Sequence, residues 1–248
     1  MKRFMRMLRF VFVAFLLVFV LPAAVSAGLW LVGDHPRSWR AADWTSAHLL
    51  PPASELREPA LYILAARTGG LKGAVSEHSW IVMKEAGRQS YERFDKAGWG
   101  EPIKTNNWAP DARWYSNEPY VVAEFHGEAA ETLIPRVKAA IAAYPYSHRG
   151  DYQIFPGPNS NSFVAYVMRR VPGLGAFLPP AAVGRDYPVD GSLFALDTER
   201  GELRLSFWGY AGLAVGRDVG FEINILGLVA GFDPFDLKLK VPAFGTVG

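Results

Sequence analysis

The sequence predicts an α+β fold: an antiparallel sheet packed on two helices, a β-rich C-terminal extension and an N-terminal signal or anchor helix. Three observations lead there. Short apolar runs bounded by turn residues, A-L-Y-I-L-A-A (60–66), H-S-W-I-V-M (78–83) and Y-V-V-A-E-F-H (120–126), have strand length and β-branched or aromatic content. Glu128 to Tyr144 places Leu133, Val137, Ile141 and Tyr144 on one helical face. From Ser192 onward, short apolar segments alternate with glycine-rich turns.

Residues 1–33 come first. Lys2, Arg3, Arg6 and Arg9 form a basic flank, Phe10 to Leu21 is aliphatic and aromatic, and Val25-Ser26-Ala27 offers the small residues of a cleavage site. No charge occurs from Phe10 to Gly33, a length that also spans a bilayer despite Pro22, so cleavage and anchoring stay open. In both cases the basic flank stays cytoplasmic and the remainder crosses, which predicts the periplasmic side of a bacterial inner membrane. The membrane is thus the expected partner, through residues 10–33.

Residues 34–59, with Pro36, Pro51, Pro52 and Pro59 among Trp39 and Trp44, read as an irregular tether lying against the domain. The core is expected over 60–187. Within it, Gln89 to Phe94 forms a hairpin with the preceding strand, and Gly98 to Pro119 is a long loop packed by Trp99, Trp108 and Trp114. A carbohydrate platform is the functional alternative for those tryptophans. Pro135 sets the first helix either to start near Thr132 or to bend. A second helix runs from Asn159–Ser162 to Arg170, burying Phe163, Tyr166 and Val167. In the extension, 188–248, strands are expected at Ser192–Leu196, Leu203–Trp208, Phe221–Leu226 and Leu237–Val241. Leu226 to Phe235 is too short to span a membrane and reads as a buried turn.

Composition excludes several functions. The chain has no cysteine, which removes disulfides, thiolate nucleophiles and iron–sulfur ligation. Of 26 basic residues four lie in the first nine positions, and the remaining 22 face 24 acids, so the body has no basic track for nucleic acid. Phosphate-binding loops, dinucleotide fingerprints, nucleophile elbows and zinc-protease motifs are absent, and the five histidines never fall at i, i+4, so neither a cofactor nor a metal is expected. Arg149, Arg169, Arg170 and Arg185 are candidates for an acidic ligand such as a lipid phosphate, although Arg169 and Arg170 also suit a helix C-terminus.

The segments R-A-A-D-W (40–44), H-S-W-I-V (78–82), Y-P-Y (144–146) and G-P-N-S-N-S-F-V (157–164) resemble a bacterial family known as domain of unknown function 3750, over about Arg40 to Tyr187. More distantly, a His opening a strand and N-S-x-S-F-V opening a helix are similar to the circularly permuted papain-like group. That group includes the NlpC/P60-type and lecithin–retinol acyltransferase-like enzymes, with Ser160 where they carry cysteine. The resemblance implies a permuted papain-like core and a site of Ser160 as nucleophile and His78 as base. Glu92 or Asp95 would orient the ring, with oxyanion donors around Asn161 and Ser162. A hydroxyl is a far weaker nucleophile than a thiol, so the missing cysteine favours a non-catalytic binding or scaffold domain. Its cleft beside His78, with Trp80, Asn159, Asn161 and Ser162, would hold a lipid or cell-wall fragment. The alternative is a serine-dependent amide or ester hydrolase or acyltransferase. Asn159, Ser160 and Ser162 also serve as ordinary N-cap residues.

Overall fold

A computed structural model describes residues 1–198 and 201–248. Lys2–Val32 form one helix, α1, long and apolar enough to cross a membrane. Pro22 cannot donate to the carbonyl four residues earlier, and a π-helical turn at Leu16–Val20, with the Leu21 N–H on the Leu16 carbonyl, carries the helix past it.

The first sheet is antiparallel in the order β4-β3-β2-β1-β5, built from β1 (Ala60–Arg67), β2 (Glu77–Lys84), β3 (Glu92–Lys96), β4 (Ile103–Thr105) and β5 (Tyr120–His126). Side chains alternate across it with period two. Leu61, Ile63, Ile81 and Met83 face helices α2 (Gly127–Ala142) and α3 (Ser160–Arg170). Tyr62, Leu64, Trp80 and Val82 face the other way, onto Trp44, Leu50 and Leu56 of the 34–59 segment and onto Trp108 and Trp114. Both faces are therefore covered, and β1 and β2 read as continuous apolar runs for that reason.

Several expectations need correction. The hairpin strand begins at Glu92, not Gln89, and β4 interrupts what reads as an unbroken loop from Gly98 to Pro119. Trp108 and Trp114 do pack that loop, whereas Trp99 is half exposed. Helix α2 starts at Gly127, which leaves Pro135 in its interior. Pro135 and Glu131, whose carbonyl loses a donor, both face solvent, where water replaces the missing bond.

The second sheet is a seven-stranded meander: β6 (Phe194–Asp197), β7 (Glu202–Phe207), β8 (Ala211–Gly216), β9 (Gly220–Ile225), β10 (Leu228–Asp233), β11 (Lys238–Val241) and β12 (Gly245–Val247). Three of these strands, β8, β10 and β12, were not expected, and β10 occupies the stretch read as a buried turn. The inner face is polar. A cross-strand row runs Arg204, Ala214, Glu222, Gly231, Lys240, and its charges meet Arg185 and Asp186 from the first domain's last loop. Arg185 pairs with Glu222, Arg204 pairs with Asp186, Asn224 Nδ2 donates to Asp186 Oδ2 at 2.7 Å, and Lys240 Nζ meets Glu222 Oε1 at 2.5 Å. Burial opposes the charge on Asp186 and Glu222, but the adjacent guanidinium groups outweigh it and hold both carboxyls below their ordinary range.

Removing one partner from such a network leaves a buried charge uncompensated. Arg185→Met is expected to lower stability by about 3–5 kcal/mol, read as a shift in the urea midpoint of the detergent-solubilised chain.

Candidate functional site

The site is built where the start of β2 meets the start of α3. Helix α3 is capped by Asn159, whose Oδ1 accepts from the N–H groups of Asn161 and Ser162, both at 3.0 Å. Ser162 Oγ closes the capping box on the Asn159 N–H at 2.7 Å. The Asn159 amide then donates to the Ile154 and Val183 carbonyls, and Gly184 lies so close to it that a Cβ there would fall 2.2 Å from the Asn159 amide nitrogen. At φ +98° this position suits glycine on both counts.

Asn161 ties the two elements together. Its Oδ1 accepts from Ser79 Oγ at 2.8 Å and its Nδ2 donates to the Glu77 and Val183 carbonyls, each at 2.8 Å. Because neighbours on a strand point to opposite faces, Ser79 reaching α3 sends His78 to the tryptophan side. There the imidazole stacks on Trp114 at 3.6 Å with the rings 4° from parallel. His78 Nε2 lies 2.9 Å from Asp95 Oδ1, and Asp95 is gripped by Arg93 through Nε at 2.7 Å and Nη2 at 2.9 Å. Arg93 in turn lies over the Trp80 ring at 4.2 Å.

Burial lowers the His78 pKa more than the Asp95 hydrogen bond and charge raise it, so the ring is neutral at pH 7. A neutral ring donating from Nε2 carries its lone pair on Nδ1. Burial likewise opposes ionisation of Asp95, but Arg93 and His78 overcome it and keep the carboxyl below its usual range.

His78 and Ser160 line one small cleft of about 60 Å³, open to solvent, together with Lys72, Lys96, Trp99, Trp114, Tyr115 and Tyr152. Among the described residues no hydrogen bond joins the imidazole to the Ser160 hydroxyl, which interacts instead with the Tyr152 phenol. Lys96 is buried with its ammonium on the Tyr146 carbonyl at 2.6 Å, and burial lowers its pKa to about 8.

The predicted site residues divide accordingly. Asp95 reaches His78, whereas Glu92 is half exposed and paired with Lys138 at 2.7 Å. The N–H groups of Asn161 and Ser162 are taken by the cap and cannot serve as oxyanion donors. Trp80 is fully buried, with its Nε1 on the Pro110 carbonyl, and Ser162 is enclosed in the cap, whereas Asn159 and Asn161 line the cleft with their amides bonded to the chain. The four arginines do not form one cluster: Arg149 stands apart on Glu101, while Arg169, which donates to the Arg185 carbonyl, lines one cavity with Arg185 and a second with Arg170. Trp114 belongs to the tryptophan set named from the sequence, whereas Arg93, Tyr152 and Lys96 were missed. Of these only Arg93 had a sequence signal, since it shares a strand face with Asp95 at a spacing of two. Among the described residues no cluster of three His, Asp or Glu side chains could hold a metal.

The His78 shift has a measurable consequence. Its folded pKa lies below the unfolded value near 6.5, so the unfolded chain takes up a proton that the folded ring refuses, and stability falls as pH drops below about 6.5. His78→Gln is expected to flatten that part of the stability–pH curve between pH 6.5 and 5, measured by urea unfolding.

The family model for proteins of unknown function, DUF3750, matches residues 58–187. No curated protein and no solved structure matches the chain. The matched span contains the whole first sheet, α2, α3 and the cleft, and stops before the second sheet. Since it covers more than half of the sequence, the chain belongs to the DUF3750 family.

Proposed function

We propose that this is an exported protein, anchored in the bacterial inner membrane by α1 with its body on the periplasmic side, and that the cleft beside His78 binds a cell-wall fragment without turning it over. The basic residues before Phe10 and their absence from the rest of the helix support the orientation. Strand and helix order, with His78 opening β2 and Ser160 opening α3, supports a permuted papain-like core put to a binding role.

One observation carries the non-catalytic reading. In the cleft that the two residues share, no hydrogen bond joins the His78 imidazole to the Ser160 hydroxyl: the ring bonds Asp95 and the hydroxyl interacts with the Tyr152 phenol. The ligand class follows from the lining. Trp99, half exposed at the rim, offers a face for a sugar ring, and exposed Lys72 offers a cation for a carboxylate. An acidic muramyl peptide has both features. Titration with N-acetylmuramyl-L-alanyl-D-isoglutamine is expected to change the tryptophan fluorescence, and Trp99→Ala to weaken binding about ten-fold. No change in the wild-type signal, confirmed by calorimetry, overturns this ligand.

The second reading is a serine-dependent amide or ester hydrolase, and the His78–Asp95 bond at 2.9 Å in the same cleft as Ser160 favours it. Its step would pass the Ser160 proton to His78 Nδ1 as Oγ bonds the acyl carbon, and then to the leaving nitrogen or oxygen as its bond to that carbon breaks, after which water hydrolyses the acyl-serine with the same ring as base. The two readings separate with a fluorophosphonate probe. Under the binding reading wild-type protein stays unlabelled. Labelling that disappears in both Ser160→Ala and His78→Ala establishes the hydrolase, and labelling that survives Ser160→Ala removes Ser160 as its nucleophile.

A further inference from the structure

The second sheet is patterned inside out. Its inner row is charged, as described above, while the outer row that crosses all seven strands reads Leu196, Leu203, Val215, Phe221, Phe232, Leu239, Val247. Every member is apolar, and six of them are 41–60% exposed. Seven strands at the usual spacing make this face roughly 29 Å wide, well beyond the isolated apolar side chains that soluble surfaces tolerate. An adjacent outer row, Phe194, Leu205, Leu213, Ile223, Ala230, is apolar as well.

Two further features say what covers it. The Leu16–Val20 turn of α1, in the middle of the apolar stretch, lies against β10, so the sheet stands beside the segment built for hydrocarbon. The three turns at one end of the meander carry exposed Trp208, Tyr210, Leu226 and Phe244, and Trp and Tyr are the residues that sit at the headgroup level of a bilayer.

We infer that the outer face of β6–β12 rests on the acyl region of the membrane that holds α1, as a lipid-seated sheet beside the anchor. Edge strands β6 and β12 leave backbone groups that hydrocarbon cannot satisfy, so the sheet does not span; it lies on its apolar face, with β10 at the depth of Leu16–Val20. The buried Arg185, Asp186, Arg204, Glu222 and Lys240 network then bonds the sheet to the rest of the body from its upper side. The inference rests on reading α1 as a membrane anchor and is independent of the cleft.

The chain has no cysteine, so single replacements accept one fluorophore each. Leu213→Cys, Phe221→Cys and Leu239→Cys probe the face, Leu17→Cys the anchor, and Glu131→Cys the far side of α2. Each full-length variant, labelled with nitrobenzoxadiazole, is reconstituted in phosphatidylethanolamine–phosphatidylglycerol vesicles with or without doxyl-phosphatidylcholine. Emission from positions 213, 221 and 239 is expected to fall about two-fold with the spin-labelled lipid, as at position 17, and to stay unchanged at position 131. Quenching at 17 alone overturns the lipid-seated sheet and leaves the anchor standing. Quenching at none of the positions overturns both. Disulfide cross-linking of unlabelled Phe221→Cys to a second copy, without quenching, overturns the inference in favour of a protein partner.

Discussion

One buried amide holds the first domain in register. Asn161 makes three hydrogen bonds at once, to a side chain and a carbonyl of β2 and to the carbonyl of Val183, and it is itself 2% exposed. Polar groups removed from water are stable only when paired, so the three partners must arrive together. That requirement fixes where β2 begins relative to α3, brings the 183–187 loop alongside, and thereby places Arg185 and Asp186 against the second sheet. It also decides the facing of His78. With Ser79 committed to Asn161, its neighbour has only the tryptophan side available.

Much of the first domain was legible because its elements carry local signals. The runs at 60–66 and 78–83 are buried on both faces, 120–126 is an apolar-rich strand with Glu124 and His126 exposed, and α3 announces itself through Asn159 and the capping box with Ser162. What stayed illegible is long-range. The tie between residues 79 and 161 depends on strand alternation combined with a helix start 82 positions away, and nothing local distinguishes a capping asparagine from one that bridges two elements. The choice between Glu92 and Asp95 was of the same kind: register pairs Phe94 with Ile81 and leaves Arg93 and Asp95 on the His78 side, whereas Glu92 reaches Lys138 of α2.

The second sheet defeated sequence reading for a different reason. Alternation is ordinarily taken to mean apolar inward and polar outward, but here the charges of β7, β9 and β11 point inward to Arg185 and Asp186, and the apolar residues point away from the body. Strands β8 and β10, with Gly212, Gly216 and Gly231 on the crowded inner face, look like turns because those glycines make room for neighbouring side chains and backbone. A Cβ at Gly231 would fall 2.3 Å from the Phe221 carbonyl. The ionic inner face bonds the sheet to the body, and the apolar residues are left to the outer face.

The rigidity of the His78 environment bears on how the cleft works. Rotating the imidazole would unstack it from Trp114, break its bond to Asp95, and leave that carboxylate with Arg93 alone in a fully buried position. Each loss is uncompensated, since a buried charge stripped of one partner costs far more than the pair contributes. Arg93 is held in turn by Trp80, Trp108 and the Ala109 carbonyl, so the ring, the acid and the guanidinium move as a block or not at all. A cleft wall braced in this way presents a fixed surface to a ligand.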